Sequence, residues 1–282
     1  MEFLRLSQTC IAAAFVAGVS LLNTSTSYAA EPVGNCFVQA DDTQAQEASL
    51  SHCAMLIGEK IADSQASTAT GRWEEFELRV DSDGSYSLIK EGQTQGPYFW
   101  DTEKLVDNAT NDIDDFWRRE FESRGWDYTS PDAITGYTRR TRTACGRAVL
   151  GNAFYCQASN SIFYDVNLLK RGFTNVGDYA PVAIIAHEWG HAIQELRGYT
   201  RNLRRSTSNT LKMEQMADCM SGAYTQDAEA RGALNEGDVA EANELFRSLG
   251  GDRSHGTAKQ RVAAFQKGLK GGVDACVAGW EK

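Results

Sequence analysis

The chain has 282 residues, enough for one large or two smaller domains with a sizeable core. Hydrophobic residues make up 42% and aromatic residues 10%, values of a globular chain rather than a disordered one. The net charge of −10 argues against nucleic acid and anionic membrane surfaces as partners.

Residues 1–29 have the form of a secretory signal peptide: Arg5 near the start, an apolar stretch over 11–22, and Ser27-Tyr28-Ala29 as a small-residue cleavage site. The stretch is short for a bilayer span and no later segment is long and apolar enough, so no stable membrane insertion is expected after cleavage. The implied location is periplasmic or secreted. Cys10 leaves with the signal. The remaining cysteines are Cys36, Cys53, Cys145, Cys156, Cys219 and Cys276, an even set that points to disulfides in an oxidising compartment. Two local pairs and one C-terminal staple are expected: Cys36–Cys53, Cys145–Cys156 and Cys219–Cys276. No C-x-x-C pair occurs, which argues against zinc binding by these thiols.

In chain order, Leu50, Cys53, Ile57 and Ile61 recur at helical spacing. Residues 63–72 are small and polar and read as a linker, so 30–70 is expected to be an N-terminal helical element with a linker, and 71–282 the main domain. Trp73, Phe76, Leu78 and Val80 alternate, then Tyr86 and Leu88, with Asp83-Gly84 between them; this predicts a β-hairpin. Ile113, Phe116, Trp117 and Phe121 form a helical stripe over 103–124 that Gly125 is placed to end. Short strands are expected at 148–150, 153–156 and 161–164. Helices follow, an order that gives an α+β architecture. Arg197, Arg201, Arg204 and Arg205 form a local basic group, read either as a solvated loop or as a groove for acidic substrate groups.

The most specific signal is His187-Glu188-Trp189-Gly190-His191, in a chain with four histidines. Two imidazoles at i and i+4 lie on one helix face and can reach one zinc ion, and Glu188 beside the first can act as general base toward a water. The helix is bounded by Asp178 as N-cap, Pro181 in its first turn and Gly198 after its end. Catalytic zinc generally keeps three protein ligands and an open position. With only His52 and His255 left, a carboxylate from a second helix over 209–231 is the better third ligand. Glu214 and Asp218 stand one turn apart at the edge of its apolar stripe of Met213, Met216, Ala217, Met220 and Tyr224. A metal would relieve the cost of burying Glu214, and Asp218 could orient a ligand histidine as an outer-shell partner.

His187-Glu188-x-x-His191 followed by Glu214-x-x-x-Asp218 resembles the glutamate-zincin pattern of metallopeptidases. Phe154-Tyr155-Cys156, Ile162-Phe163-Tyr164-Asp165, Gly177-Asp178-Tyr179-Ala180, Ala217-Asp218-Cys219 and Ser254-His255-Gly256-Thr257 occur in the order seen in the bacterial neutral zinc metallopeptidase family. The resemblance covers residues 105–270 and implies a zincin-like fold, one Zn²⁺ and a protein or peptide substrate. Trp189 departs from the small or β-branched residue more usual after the general base, a change expected to bear on pocket shape but not on ligation.

His255 precedes the capping-box sequence Thr257-Ala258-Lys259-Gln260, which pins it in a loop. It is a candidate donor to the oxyanion or else a surface histidine. Tyr164 and Tyr179 are weaker candidates for the same role. The strand at 161–165 is a candidate edge for pairing with an extended peptide. The competing reading of the whole chain is a catalytically silent, disulfide-stabilised metal-containing binding protein. Glu188 counts against it, because a structural metal site needs no base.

Overall fold

The computed structural model describes residues 33–38, 46–64, 66–82, 84–99, 101–201, 203–204, 206–251 and 255–280. The expected signal segment, Asp83, Arg205 and Ser254 lie outside them. The fold is α+β, as expected.

Strands β1 (Val33–Phe37), β2 (Gln46–Ser49), β3 (Thr68–Trp73), β4 (Phe76–Asp81), β5 (Ser85–Lys90) and β6 (Gln93–Phe99) form an antiparallel sheet in the order β2-β1-β3-β4-β5-β6. Helix α1 (Leu50–Ser64) lays Cys53, Ile57 and Ile61 on it, against Trp73, Leu78, Val80, Tyr86 and Leu88. The predicted hairpin is β4–β5, with Leu78 opposite Leu88 and Val80 opposite Tyr86. The expected linker is instead the end of α1 and strand β3. Its period-2 pattern was hidden because its inward positions include Ala69 and Gly71. A Cβ on Gly71 would stand 2.4 Å from Ile57 Cδ1, so only glycine lets α1 settle this closely.

The second core begins at α2 (Thr102–Ser123). Asp101 accepts the amides of Glu103 and Lys104 at 2.8 and 3.1 Å, an N-cap that satisfies two otherwise orphaned donors. Val106, Ala109, Ile113, Phe116, Trp117 and Phe121 form its buried stripe. Gly125, at φ +66°, follows the helix as predicted. Strands β7 (Ala133–Tyr137), β10 (Ala153–Cys156) and β11 (Ser161–Asp165) make a sheet in the order β10-β11-β7, antiparallel on one side and parallel on the other. β11 is therefore central and β10 is an edge, the reverse of the expectation for 161–165. The small hairpin of β8 (Arg142–Thr143) and β9 (Gly146–Arg147) is joined to β10 by Cys145–Cys156.

Residues 148–150 form no strand. The Tyr137 hydroxyl donates to the carbonyls of Val149 and Asn152 at 2.8 and 2.7 Å, and Asp165 Oδ2 accepts the Gly151 amide at 2.6 Å. These tertiary bonds hold the segment as a turn. Val149 and Leu150 are left 36% and 53% exposed, the large hydrophobics on the surface of the described residues.

Helices α3 (Val166–Asn175), α4 (Tyr179–Leu196), α5 (Thr207–Ala230), α6 (Asp238–Ser248) and α7 (Ala258–Val277) complete the unit. Asp178 does not cap α4 with its side chain; the Tyr179 amide donates instead to Glu241 Oε2 of α6 at 2.8 Å. Gly198, at φ +70°, closes α4 as predicted. α7 starts with the predicted capping box, Thr257 and Gln260 each serving the other's amide. The three expected disulfides are all present.

Helices α5 and α7 meet almost backbone to backbone. A Cβ on Gly222 would stand 2.0 Å from the Phe265 carbonyl oxygen, and one on Gly268 1.8 Å from that of Cys219. The Cys219–Cys276 disulfide closes the same contact. One buried cluster runs from Cys36 to Leu88 and a larger one from Val106 to Val277. Strands β3, β4 and β5 thus share a core with α1. Gly268→Ala is expected to destabilise the protein by about 3 kcal/mol, the upper end of the overpacking range. A urea denaturation curve matching wild type would show that α5 and α7 can part without cost.

Candidate metal centre

Helices α4 and α5 bring His187, His191 and Glu214 together. Glu214 Oε2 lies 3.4 Å from His187 Nε2 and 3.6 Å from His191 Nε2. His187 and Glu214 are buried and His191 nearly so. The two imidazoles stand 4.9 Å apart, edge to face. The donor set fits zinc. Four ligands held about 2.0–2.1 Å from one Zn²⁺ stand about 3.4 Å from one another, close to the spacings seen here. Glu214 Oε2 is also buried with no hydrogen-bond partner among the described residues, which is costly for a carboxylate unless a cation meets it.

The Nδ1 atom of each histidine faces a polar side chain. His187 Nδ1 stands 2.8 Å from Asp218 Oδ1. His191 Nδ1 stands 3.0 Å from Gln194 Oε1, and Gln194 Nε2 donates to the Met213 carbonyl at 2.7 Å. Because the Gln194 amide nitrogen is used on Met213, its oxygen faces the ring. His191 Nδ1 then carries the proton and Nε2 offers its lone pair. Asp218 is wholly buried and gripped by Arg261 of α7, with Nε 2.9 Å from Oδ2 and Nη2 2.6 Å from Oδ1.

The local potential favours a cation. Burial opposes charge on His187 and His191, yet the neighbouring carboxylates raise both above the usual histidine range. Burial likewise opposes ionisation of Glu214 and Asp218, yet both lie below the usual carboxylate range. For Glu214 the histidines lower it; for Asp218, Arg261 is the larger cause. Glu188 differs, since burial pushes it up. Its Oε2 accepts the Tyr155 amide of β10 at 3.0 Å.

A cleft of about 450 Å³ opens beside these groups. Phe154, Tyr155 and Asn152 line one wall, Met213, Glu214 and His191 the other, with Val149 and Cys145 also on the lining. His255 is buried, 3% exposed, with Nε2 3.9 Å from Glu214 Oε2, so the surface-histidine alternative fails. Tyr179 donates to Thr225 in the core at 3.0 Å, and Tyr164 lines a separate cavity with Glu103 and Val166. Neither lines the cleft. The described arginines of the basic group do not line it either, and Arg197 packs over the Trp126 ring at 3.6 Å.

Trp189 does not shape the cleft. It is 1% exposed, packs in the core and donates to the Tyr128 hydroxyl at 3.1 Å. The sequence reading missed Gln194, Arg261 and the Tyr155 amide. Gln194 was within reach of sequence reasoning, three residues after His191 on the same helix. The others are long-range contacts with no local signature.

The family described as "Putative neutral zinc metallopeptidase" matches residues 90–278, more than half of the chain. The chain belongs to this family. Among curated proteins, the uncharacterised YpfJ of Escherichia coli is 30% identical over 190 residues, covering 57% of this chain and 66% of that protein. An uncharacterised protein of Mycobacterium tuberculosis is 25% identical over 180 residues, covering 49% of this chain and 61% of its own length. The chain thus spans a little under two thirds of the length of the curated relatives it matches. No solved structure matches it. The neutral zinc metallopeptidase match begins near β6, leaving most of the first sheet outside it.

Glu214→Gln is expected to weaken zinc binding by more than the roughly 10- to 100-fold typical of losing an outer-shell partner. Metal analysis of the purified variant checks this; occupancy equal to wild type would remove Glu214 from the ligand set.

Proposed function

We propose that this chain is an exported zinc metallopeptidase that hydrolyses peptide bonds in the cleft between β10 and helices α4 and α5. The observation that carries the reading is the buried His187–His191–Glu214 group with Glu188 alongside. Family membership supports it independently. His187, His191 and Glu214 would hold the zinc and Asp218 would orient His187. When bound, the ion would supply Lewis acidity toward the scissile carbonyl and toward water.

The chain's own residues supply the rest. Glu188 takes the proton of the attacking water and returns it to the leaving amine. The Tyr155 amide restrains its carboxylate, so β10 sets the position of the base. His255 donates to the carbonyl oxygen as negative charge develops there, a contribution of roughly 2.7–4 kcal/mol for such donors. The substrate lies extended along β10, an edge strand whose Phe154 and Tyr155 line the cleft. Phe154, Val149 and Met213 give that cleft apolar surface for substrate side chains.

Export is supported by the three disulfides, which suit an oxidising periplasmic or extracellular compartment. No described helix is long and apolar enough to cross a membrane.

Glu188→Gln is expected to keep its zinc and lose about 10²- to 10⁴-fold in peptide cleavage, measured by digestion of a peptide library. Undetectable cleavage by wild type with zinc tightly bound would instead favour the silent binding protein. His255→Ala is expected to retain zinc and lower turnover by about 10²- to 10³-fold. Unchanged turnover would reject its role as a donor.

A further inference from the structure

We infer that Arg261 is the positioning residue of the metal centre: its guanidinium locks the Asp218 carboxylate in the one orientation that holds the His187 ring toward the metal. This rests on the zinc-site reading above and extends it to α7, which supplies none of the proposed ligands.

Asp218 Oδ1 receives both Arg261 Nη2 at 2.6 Å and stands 2.8 Å from His187 Nδ1, while Oδ2 receives Arg261 Nε at 2.9 Å. The fork therefore occupies both oxygens. A carboxylate held at one oxygen can swing about its side-chain torsions; one held at both cannot, and Oδ1 stays against the imidazole. The same contact turns His187 Nε2 toward Glu214. A lysine, a point charge without the fork, would give the attraction but not the orientation.

Stability alone is a poor account of this arginine. Arg261 is 1% exposed, and its Nη1 is buried with no hydrogen-bond partner among the described residues. A buried ion pair with an unsatisfied nitrogen is commonly no better than apolar residues of the same volume. The capping box of Thr257 and Gln260 fixes the first turn of α7, and Arg261 follows directly after it. Gly222 and Gly268 allow the helix approach that lets the guanidinium reach Asp218.

The test measures zinc dissociation constants by competition with a chromogenic chelator, with melting curves of the zinc-free proteins alongside. Arg261→Lys keeps the buried charge and is expected to bind zinc about 10-fold more weakly than wild type while still melting cooperatively. Asp218→Asn is expected to lose about 10- to 100-fold. Adding Arg261→Met to Asp218→Asn is expected to change zinc affinity no further, because the arginine acts through that carboxylate. Arg261→Lys with wild-type affinity overturns the proposal, as does a further loss from Arg261→Met in the Asp218→Asn background. If Arg261→Lys does not fold, the comparison of Asp218→Asn with the double variant decides. A wild type that binds no zinc overturns the metallopeptidase reading as well; a wild type that binds zinc beside an equally tight Arg261→Lys overturns only the role of Arg261.

Discussion

The wholly buried Asp218 carboxylate is where three helices meet. It stands on α5, faces His187 of α4 and is held by Arg261 of α7. Burying a carboxylate costs several kcal/mol unless it is paired and hydrogen-bonded, so these helices must arrive in register. The surrounding sequence reflects that demand. Gly222 and Gly268 remove the side chains that would keep α5 and α7 apart, the Cys219–Cys276 disulfide closes the contact, and Ser221 donates to the Ala183 carbonyl across α4 and α5 at 3.1 Å. Packing and chemistry are coupled at this point, because a shift of α7 would free Asp218 and, with it, the His187 ring.

The second sheet plays a comparable part on the other side of α4. β10 sends its Tyr155 amide to Glu188 while Phe154 and Tyr155 wall the cleft, and the Cys145–Cys156 disulfide ties the β8–β9 hairpin to the end of that strand. The proposed base is therefore held by the same strand that would align the substrate. Trp189, next to Glu188 in the same motif, also anchors α4, buried in the core and donating to the Tyr128 hydroxyl. The helix is thus held at two adjacent positions, which suits a site whose groups must not move relative to one another.

The first sheet has its own core and its own disulfide, Cys36–Cys53. Its reading from sequence went astray at β3, where small inward residues erase the alternation by which strands are recognised. The hairpin of β4 and β5 was legible because Leu78, Val80, Tyr86 and Leu88 are large on one face. The turn at 148–150 failed for another reason: Ala148-Val149-Leu150 has strand composition, but Tyr137 and Asp165, distant in the chain, take up its neighbouring backbone groups. Likewise Asp178 has the chemistry of an N-cap, yet a carboxylate from α6 reaches the Tyr179 amide instead.

By itself the sequence determined everything set by local spacing. The i and i+4 histidines with Glu188 between them, the Glu214 and Asp218 pair one turn apart, the capping box of α7, and the glycines that close α2 and α4 all follow from helix period and turn chemistry, and the even set of cysteines from composition. Only the tertiary structure decided which long-range partner each polar group takes. It placed His255 in the buried site, removed Tyr164 and Tyr179 from it, made β10 rather than β11 the edge, and brought Arg261 to Asp218. The physical reason is that a buried charge or amide bonds whichever group packing brings within about 3 Å, and that choice is not encoded in the residues next to it.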